Sequence, residues 1–400
     1  MFLLNKHPDY RRSLEPNDAV TLGLDAAREV ERFLQNRVDH KPTPLLSLPS
    51  VAAELGVASV HIKDESKRLG LGSFKALGGS YAVIRLVLKK AAHELGRSVD
   101  VGELQNNAVR QITSRMTFAC ATDGNHGRSV AMGAQLVGAK CSIFVHSGVS
   151  DERIAAIAHY GAEIIRVEGN YDDSVDQANR VAKLKDWVIV SDTSWPGYEE
   201  IPGLVMQGYT ALLSESVRGL PHPPTHVFVQ AGVGGIAATV AGHFSLVFGD
   251  ERPFFTVVDP SRAACLFESA RAGRPVKVQH SEPTIMAMLE CYEPSLIAWR
   301  ILSRAADAFM TIEDSEAVEV MRKLANPSNS DPAIVAGESG GVGLAALCNI
   351  ASKEGLREQV GLGVDSHVFL INTEGATDIQ LYEKIVGLTP QEVESKNQAH

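Results

Sequence analysis

Past the middle of the chain, one segment reads His226-Val227-Phe228-Val229-Gln230-Ala231-Gly232-Val233-Gly234-Gly235-Ile236-Ala237-Ala238. Its apolar start predicts a buried strand, its glycines predict a tight loop, and the alanines that follow predict a helix. The first amide groups of a helix have no partner inside that helix, so a loop of this kind can bind a phosphate. The segment therefore predicts a strand–loop–helix unit of an α/β protein, with a candidate phosphate site at residues 232–236.

The same segment is also compatible with a dinucleotide site. Gly232, Gly234 and Ala237 have the spacing of the dinucleotide fingerprint, and the next predicted strand ends at Asp259, an acid that could bind a ribose. The spacing to this acid is slightly long, and such a fingerprint usually lies near the start of its domain. A NAD-dependent dehydrogenase therefore stays open as an alternative from this motif alone.

Short apolar strands and alanine-rich helices alternate along the rest of the chain. This order predicts parallel sheets with helices on both faces, and 400 residues suit two packed lobes. The last residues, 392–400, are polar, and we expect them to be frayed. Besides residues 226–230, the predicted strands are Val60–Lys63, Met116–Cys120, Cys141–Val145, Glu163–Val167, Trp187–Val190, Phe255–Val258 and His367–Ile371.

The composition is that of a folded protein in water, with 44% hydrophobic residues, 22% charged residues and a net charge of −10. No run of about 18 apolar residues could span a membrane, and no basic block predicts a nucleic-acid partner. The five cysteines form no CxxC pair and no HExxH motif is present, so neither a disulfide framework nor a zinc site is predicted. We therefore expect a cytoplasmic protein without a metal.

Two further segments contain residues suited to chemistry. Lys75 follows Gly72-Ser73-Phe74 and precedes a predicted helix; there, partial burial and helix amides would lower the pKa of the amine and free it to form an imine. From this segment alone, a surface lysine is the alternative. Thr122-Asp123-Gly124-Asn125-His126 directly follows a strand, and its glycine and amides favour a bound carboxylate. The alternative here is a strand-to-helix turn with Asp123 as the N-cap.

Polar residues also follow the last predicted strand. Open α/β sheets bind their ligands at the carboxyl ends of the strands, so the side chain of Asn372 or Thr373 could face a pyridine nitrogen. The segment Gly337–Gly343 is either a second anion loop or a turn that opens a helix running to Ile350. We favour the turn, in which Gly341 and Gly343 permit close packing.

Taken together, these segments resemble the pyridoxal-phosphate (PLP) enzymes of fold type II, and more narrowly the diaminopropionate ammonia-lyases. The order of a Ser73-Phe74-Lys75 segment, an asparagine-containing glycine loop, a phosphate loop and a polar last strand end is typical of that fold type. Asp123 is informative, because relatives that act on serine, threonine or cysteine usually have serine or threonine there. The matching segments lie between residues 42 and 378 and are Lys63–Arg68, Thr122–Arg128, Tyr171–Asp173, Asp192–Trp195, Met206–Tyr209, Gln230–Gly234, Thr284–Ala287, Gly337–Gly340 and Thr373–Gly375.

The resemblance implies an α/β fold of two interleaved open-sheet lobes, and a homodimer. We expect a large PLP-binding lobe at residues 1–80 and 206–400 and a small lobe at residues 81–205. Lys75 would hold PLP, Phe74 would contact it, Asn125 would bind its ring hydroxyl, and Asn372 or Thr373 would meet its pyridine nitrogen. The amides of the loop would bind its phosphate, and they belong to Gly232, Val233, Gly234, Gly235 and Ile236.

The reaction implied by the resemblance is α,β-elimination of D- or L-2,3-diaminopropionate, which gives pyruvate and ammonia through aminoacrylate. Lys75 would remove the Cα proton of the L isomer and Asp123 that of the D isomer, while Asp123 and Asp192 would attract the leaving β-amine. Without the family, Asp192 is interpreted as a cap after the strand that ends at Val190. The other expected substrate contacts are Ser73, Thr122, Gly124, His126 and Tyr292.

The chain departs from the family pattern at Tyr292, within Cys291-Tyr292-Glu293-Pro294, where the family has glycine. The phosphate loop also has Gly235-Ile236 where alanine and methionine are common. Neutral drift is one interpretation of Tyr292; the other is that Tyr292 reshapes the cavity for another β-substituted amino acid. Three hypotheses therefore remain: the diaminopropionate lyase, a lyase or dehydratase of the same fold with another substrate, and the NAD-dependent dehydrogenase.

Overall fold

The computed structural model describes residues 1–122, 124–169, 171–279, 282–328 and 330–398. The chain forms two compact units: the first contains Met1–Asp25, Lys41–Phe74 and Leu212–His400, and the second contains Ala26–His40 and Lys75–Ala211. The chain thus passes from the first unit to the second between Phe74 and Lys75. The predicted assignment of a PLP-binding lobe to residues 1–80 and 206–400 concerns function and stays a prediction.

The first unit is built on a seven-stranded sheet. Its five inner strands are parallel, and four of them are almost completely buried, as expected when helices cover both faces of a sheet. An antiparallel strand closes each edge. With strands numbered along the whole chain, the sheet contains β1 (Phe2–Leu4), β2 (Leu45–Ser47), β3 (Ser59–Asp64), β8 (His226–Gln230), β9 (Phe254–Pro260), β10 (Ala308–Ile312) and β11 (His367–Asn372), in the spatial order β1-β10-β9-β8-β11-β3-β2.

Helices pack on this sheet around an apolar core that includes Ile62, Phe228, Leu344 and Leu370. A Cβ atom at Gly343 would lie 2.6 Å from the carbonyl oxygen of Phe228, so only glycine lets the helix that contains Gly343 approach β8 so closely. The helices are α1 (Pro16–Leu22), α3 (Pro49–Leu55), α10 (Gly235–Phe248), α11 (Cys265–Ala272), α12 (Leu296–Ala305), α13 (Asp314–Ala325), α14 (Val342–Ala351), α15 (Glu354–Val360), α16 (Ile379–Val386) and α17 (Pro390–Ser395), with 3-10 turns at Arg68–Gly70, Gly249–Glu251, Ala287–Leu289 and Lys396–Gln398.

The carboxyl-terminal residues are ordered, so the prediction of a frayed tail is wrong for residues 392–398. Thr389 and Glu392 form a capping box at the start of α17, which satisfies the first amides of the helix. Val393 is completely buried, and the side chain of Asn397 exchanges two hydrogen bonds of 2.8 Å with the backbone of Ala333. The apolar anchor and the cap outweigh the polar composition of the segment.

The second unit contains a four-stranded, fully parallel sheet in the order β6-β5-β4-β7. Its strands are β4 (Thr117–Ala121), β5 (Lys140–His146), β6 (Glu163–Val167) and β7 (Val188–Ile189). Its helices are α2 (Leu24–Gln35), α4 (Lys75–Leu95), α5 (Asn107–Thr113), α6 (Asn125–Val137), α7 (Asp151–Ala158), α8 (Tyr171–Lys185) and α9 (Glu200–Gly219), with a 3-10 turn at Val101–Glu103. Helix α2 begins, and α9 ends, in residues of the first unit.

The predicted class of parallel α/β sheets is confirmed by both units. Each predicted strand is present, with ends shifted by one or two residues at most. Strands β1, β2 and β10 were not predicted. No helix of the described residues is long and apolar enough to cross a membrane.

Candidate active site

Close packing of α4 on α6 fixes the start of both helices within the second unit. The backbone amide of Ser80 donates to Oγ of Ser129 at 2.9 Å, and that hydroxyl donates to a carbonyl oxygen in the first turn of α4 at 3.1 Å. A Cβ atom at Gly133 would lie 2.8 Å from Cα of Ser80, so the two backbones meet where glycine is needed. Lys75 is the first residue of α4 and Asn125 the first of α6. The packing thus holds both predicted site residues at defined positions.

The amine of Lys75 forms an ion pair with Asp192 in the same unit. Nζ lies 2.8 Å from Oδ2, and the side chains are only 22% and 17% exposed. Asp192 follows β7, the neighbour of β4, and the amide of Val190 extends this pairing through a 2.8 Å bond to Ala119. Burial alone would raise the pKa of Asp192, but the charge and the hydrogen bond of Lys75 outweigh it and hold the pKa below its usual value. The interpretation of Asp192 as a cap after the strand therefore leaves out its ion pair with Lys75.

His126 completes this group. Its Nε2 lies 2.8 Å from the carbonyl oxygen of Val190, and because a carbonyl only accepts, Nε2 carries the hydrogen. The other ring nitrogen, Nδ1, faces Oδ2 of Asp192 at 3.9 Å. Burial lowers the pKa of His126 from its usual value, and the nearby charge of Lys75 also lowers it, while Asp192 acts in the opposite direction. The structure thus brings Lys75, Asp192 and a neutral His126 together.

The loop between β4 and α6 is closed by Thr122. Its Oγ1 accepts hydrogen bonds from the amides of Gly124 and Gly127, both at 3.1 Å. Thr122 and Asn125 are both buried. Asp123, the predicted base for the D isomer, lies outside the described residues. The predicted substrate contacts of Thr122 and Gly124 stay predictions, since their visible role is to shape the loop.

The candidate phosphate loop lies in the first unit, between β8 and α10. Gly234 has a φ of 100°, in the left-handed region, and a Cβ atom there would lie 2.9 Å from Cβ of Ala298. A Cβ atom at Gly232 would lie 2.9 Å from Sγ of Cys291. Gly234 therefore requires glycine, whereas a Cβ atom at Gly232 would have to displace the thiol of Cys291. Helix α10 begins at Gly235, so the amides of residues 235 and 236 belong to a helix start that favours an anion.

Asn372 and Thr373, the two residues predicted to face a pyridine nitrogen, differ in whether they have a hydrogen available for a ligand. The side-chain amide of Asn372 donates to Oδ1 of Asp64 at 2.8 Å and to the carbonyl oxygen of Val335 at 3.1 Å, so both of its hydrogens are used. Oγ1 of Thr373 accepts from Gln230 at 3.0 Å and makes only a 3.3 Å bond to the carbonyl oxygen of Ser339. This long bond is the easier one to exchange for a ligand, and the geometry therefore favours Thr373.

Residues that precede Lys75 are attached to the same strand end. Ser73 forms an isolated antiparallel bridge with Glu374, and the amide of Phe74 donates to the carbonyl oxygen of Thr373 at 3.0 Å. The hydroxyls of Ser73 and Ser339 are buried and have no hydrogen-bond partner among the described residues. Buried hydroxyls of this kind are uncommon and indicate space for a polar ligand. Taken by itself, the first unit thus has an anion-binding loop and unpaired hydroxyls that fit the polar groups of PLP. Taken by itself, the second unit has an amine that fits its aldehyde.

A buried charge network in the first unit was missed from the sequence. Arg68 is completely buried and pairs with Glu65 at 2.7 Å and with Glu215 at 2.7 Å, and Lys63 adds a 2.6 Å bond to Glu215. The network holds the loop that leads from β3 towards Lys75. The charged run of residues 63–68 is a local sign of such a network, but Glu215 is distant in sequence and no local pattern links it to this run.

The structure contradicts the dinucleotide hypothesis at Asp259. This residue is 1% exposed, and its Oδ2 accepts hydrogen bonds from the amides of Leu266 and Phe267, both at 2.9 Å. Because this carboxyl group is buried against the start of α11, it is not accessible to a ribose. Tyr292, the departure from the family pattern, donates from its hydroxyl to Oε1 of Glu290 at 2.6 Å. Its predicted contact with substrate stays a prediction.

Comparisons with known proteins agree with this geometry. The family model described as "Pyridoxal-phosphate dependent enzyme" matches residues 37–372. The diaminopropionate ammonia-lyase of Escherichia coli K12 is 40% identical over 366 residues, which are 90% of this chain and 91% of the relative. That of Salmonella typhimurium LT2 is 38% identical over 375 residues, 91% of this chain and 93% of the relative. The crystal structure of the Escherichia coli lyase in complex with an aminoacrylate-PLP azomethine reaction intermediate matches with a TM-score of 0.86 and 37% identity, covering 96% of each chain. These likenesses confirm the predicted fold type II.

Proposed function

Because this chain belongs to the family of pyridoxal-phosphate-dependent enzymes, we propose that it eliminates ammonia from 2,3-diaminopropionate and forms pyruvate. The observation that carries the proposal is the 2.8 Å pair of Lys75 and Asp192. A lysine amine suits the covalent attachment of PLP, and a carboxylate beside it suits a substrate with a second amine, which is cationic when protonated. The relatives whose names specify this substrate match about nine-tenths of the chain.

Specific residues would hold the cofactor. Lys75 would bind its aldehyde carbon, the amides of residues 232–236 its phosphate, Asn125 its ring hydroxyl and Thr373 its pyridine nitrogen. When bound, PLP supplies an electron-withdrawing ring that stabilises negative charge at Cα. A hydroxyl partner such as Thr373 leaves the ring nitrogen uncharged, which moderates this effect and suits an elimination that needs only a brief carbanion.

The chain's own side chains would manage the protons. Lys75 would remove the Cα proton of the L isomer and Asp123 that of the D isomer. Asp192 would attract the β-amine, and its partial burial strengthens this attraction because the local dielectric is below that of water. A small amino-acid substrate, a homodimer and a cytoplasmic location complete the proposal.

The proposal is tested by measuring pyruvate and ammonia from D- and L-2,3-diaminopropionate, with D-serine and L-threonine as comparison substrates. We expect diaminopropionate to have the highest kcat/KM. Asp192→Asn keeps the size of the side chain but removes its charge, so kcat/KM is expected to fall by ~10²-fold or more. Asp186→Asn, at an exposed residue of the same unit, is the matched control. Failure to form pyruvate from either isomer would overturn the proposal.

A lyase of the same fold with a different β-substituted substrate is the second candidate, and it rests on Tyr292, which stands where the family pattern has glycine. If Tyr292 defines the pocket, Tyr292→Gly should change the ratio of kcat/KM for diaminopropionate and for larger substrates by ~10-fold or more, the scale of a contact worth about 1–3 kcal/mol. Tyr292→Phe removes only the hydroxyl and serves as the control. An unchanged ratio would leave diaminopropionate as the substrate.

A further inference from the structure

The imidazole of His126 has a defined orientation at the Lys75–Asp192 pair. The ring is 4% exposed, and its Nε2–H is held by the carbonyl oxygen of Val190 at 2.8 Å. In the neutral ring, Nδ1 therefore carries the lone pair. That lone pair faces Oδ2 of Asp192 at 3.9 Å, the same oxygen that Lys75 contacts at 2.8 Å. Two acceptors thus face each other beside one cation.

The other titratable groups around Asp192 are neutral at working pH. Cys120 comes from β4, Tyr209 from α9, and Tyr198 from the segment after Asp192. Burial raises the pKa of all three above their usual values. Among the described residues, Lys75 is therefore the charged group that acts on both His126 and Asp192. Asp123, which follows Thr122 in the sequence, lies outside those residues, so a variant at Asp123 serves as a separate control.

The charge of Lys75 keeps a proton off both partners. It lowers the pKa of Asp192 and also that of His126, and burial of each residue disfavours its charged form. When Lys75 gives up its positive charge, as it must before its amine can act as a nucleophile or base, the carboxylate and the imidazole lose the group that opposed protonation. The pair then takes up the one proton that Lys75 has lost, and the 3.9 Å between Nδ1 and Oδ2 shortens to hydrogen-bond length once that proton lies between them.

We propose that His126 is a positioning residue of the reaction, which holds at Nδ1 the proton that Asp192 passes to the departing nitrogen of the substrate. This inference rests on the proposed elimination and adds a residue to it. His126 acts through Asp192, because its other nitrogen is committed to Val190.

The protons balance over the elimination step of the L isomer, up to the departure of the first ammonia. The ammonium of Lys75 gives a proton to the Asp192–His126 pair and becomes a neutral amine. That amine takes the Cα proton, and the electrons of the Cα–H bond form the double bond between Cα and Cβ. Asp192 donates the stored proton to the neutral β-amine, the electron pair of the Cβ–N bond leaves with the nitrogen, and ammonia departs. Lys75 is again an ammonium, Asp192 a carboxylate and His126 neutral.

The first test needs no turnover. Nitrogen-15 NMR of histidine-labelled protein reports which ring nitrogen carries hydrogen, and His126→Gln identifies the signal. We expect Nδ1 of His126 to be unprotonated at neutral pH. In Lys75→Met, which removes the cation, the midpoint of its protonation should rise by about one pH unit or more, the scale of a lost neighbouring charge. His159, which is exposed in the same unit, should show no shift. An unshifted His126 midpoint would overturn the inference.

The second test separates proton holding from mere packing. Glutamine at position 126 keeps an N–H group for Val190 but has no basic nitrogen. We expect His126→Gln to change the shape of the kcat–pH profile on L-2,3-diaminopropionate and to lower kcat by ~10-fold or more, while His159→Gln leaves both unchanged. The same comparison in the Asp123→Asn background excludes a proton held by Asp123. A lower kcat with an unchanged profile would mean that His126 only packs, and would overturn the inference. A shifted NMR midpoint without turnover of diaminopropionate would instead refute the proposed function alone.

Discussion

Replacing Gly234 with alanine tests the phosphate loop directly. A φ of 100° is unfavourable for alanine, by about 1–2 kcal/mol. The new Cβ would lie 2.9 Å from Cβ of Ala298 and 3.1 Å from Cδ1 of Leu266, both too close, so the loop must move. Restoring the loop on binding would then cost about 2–3 kcal/mol in all, which corresponds to a Kd for PLP that is about 30- to 150-fold weaker.

The assay is a titration of the apoprotein with PLP, followed by absorbance, together with urea unfolding of the apoprotein. Gly273→Ala is the matched control, since Gly273 also has a positive φ, 66°, but a Cβ there would meet no atom of the described residues within 4 Å. This variant should lose some stability and keep its affinity for PLP. If Gly234→Ala changed neither the Kd nor the free energy of unfolding, the account of this loop would be wrong.

Three further predictions follow from other parts of the molecule. Asp123→Asn should lower activity on D-2,3-diaminopropionate by ~10²–10⁴-fold and on the L isomer much less; equal losses, measured as pyruvate formation, would refute the division between two bases. Arg68→Met leaves the buried carboxylate of Glu65 without its cation and should lower the free energy of urea unfolding by about 3–5 kcal/mol, whereas Arg97→Met at an exposed pair should lower it far less. Burial raises the pKa of Asp259 to about 8, so folded protein keeps a proton that unfolded protein loses near pH ~4. As pH rises from about 4 to about 8, the free energy of unfolding of the wild type should therefore fall relative to that of Asp259→Asn, by at most about 1.4 kcal/mol per pH unit. If the free energies of unfolding of the two proteins changed in parallel with pH, this prediction would be contradicted.

Local patterns in the sequence were enough to predict the strands and the phosphate loop. The segment 226–238 combines an apolar run, glycines and alanines within a few residues, so strand, loop and helix start can all be predicted from neighbours in the chain. The prediction of a frayed tail failed although a signal existed. Thr389 and Glu392 have the spacing of a capping box, and the polar composition after them masked it.

Pairings between distant residues could not be predicted from local patterns. Asp192 meets Lys75 only because β7 pairs with β4 and α4 packs on α6, and these contacts depend on the whole second unit. The same holds for Glu215 and Arg68 in the first unit. The resemblance to a known family supplied candidate roles for Lys75 and Asp192. The tautomer of His126 could be assigned only from the structure, because it depends on the carbonyl oxygen of Val190 that faces Nε2.

The central claim is that Lys75 holds PLP, and reduction with borohydride tests it most directly. Borohydride converts an imine between PLP and a lysine into a stable pyridoxyl group, which peptide mass mapping locates. We predict that the purified holoprotein absorbs in the visible range before reduction and that the modified peptide afterwards contains Lys75. A pyridoxyl group on a different lysine, or a bound nicotinamide cofactor in place of PLP, would contradict the account.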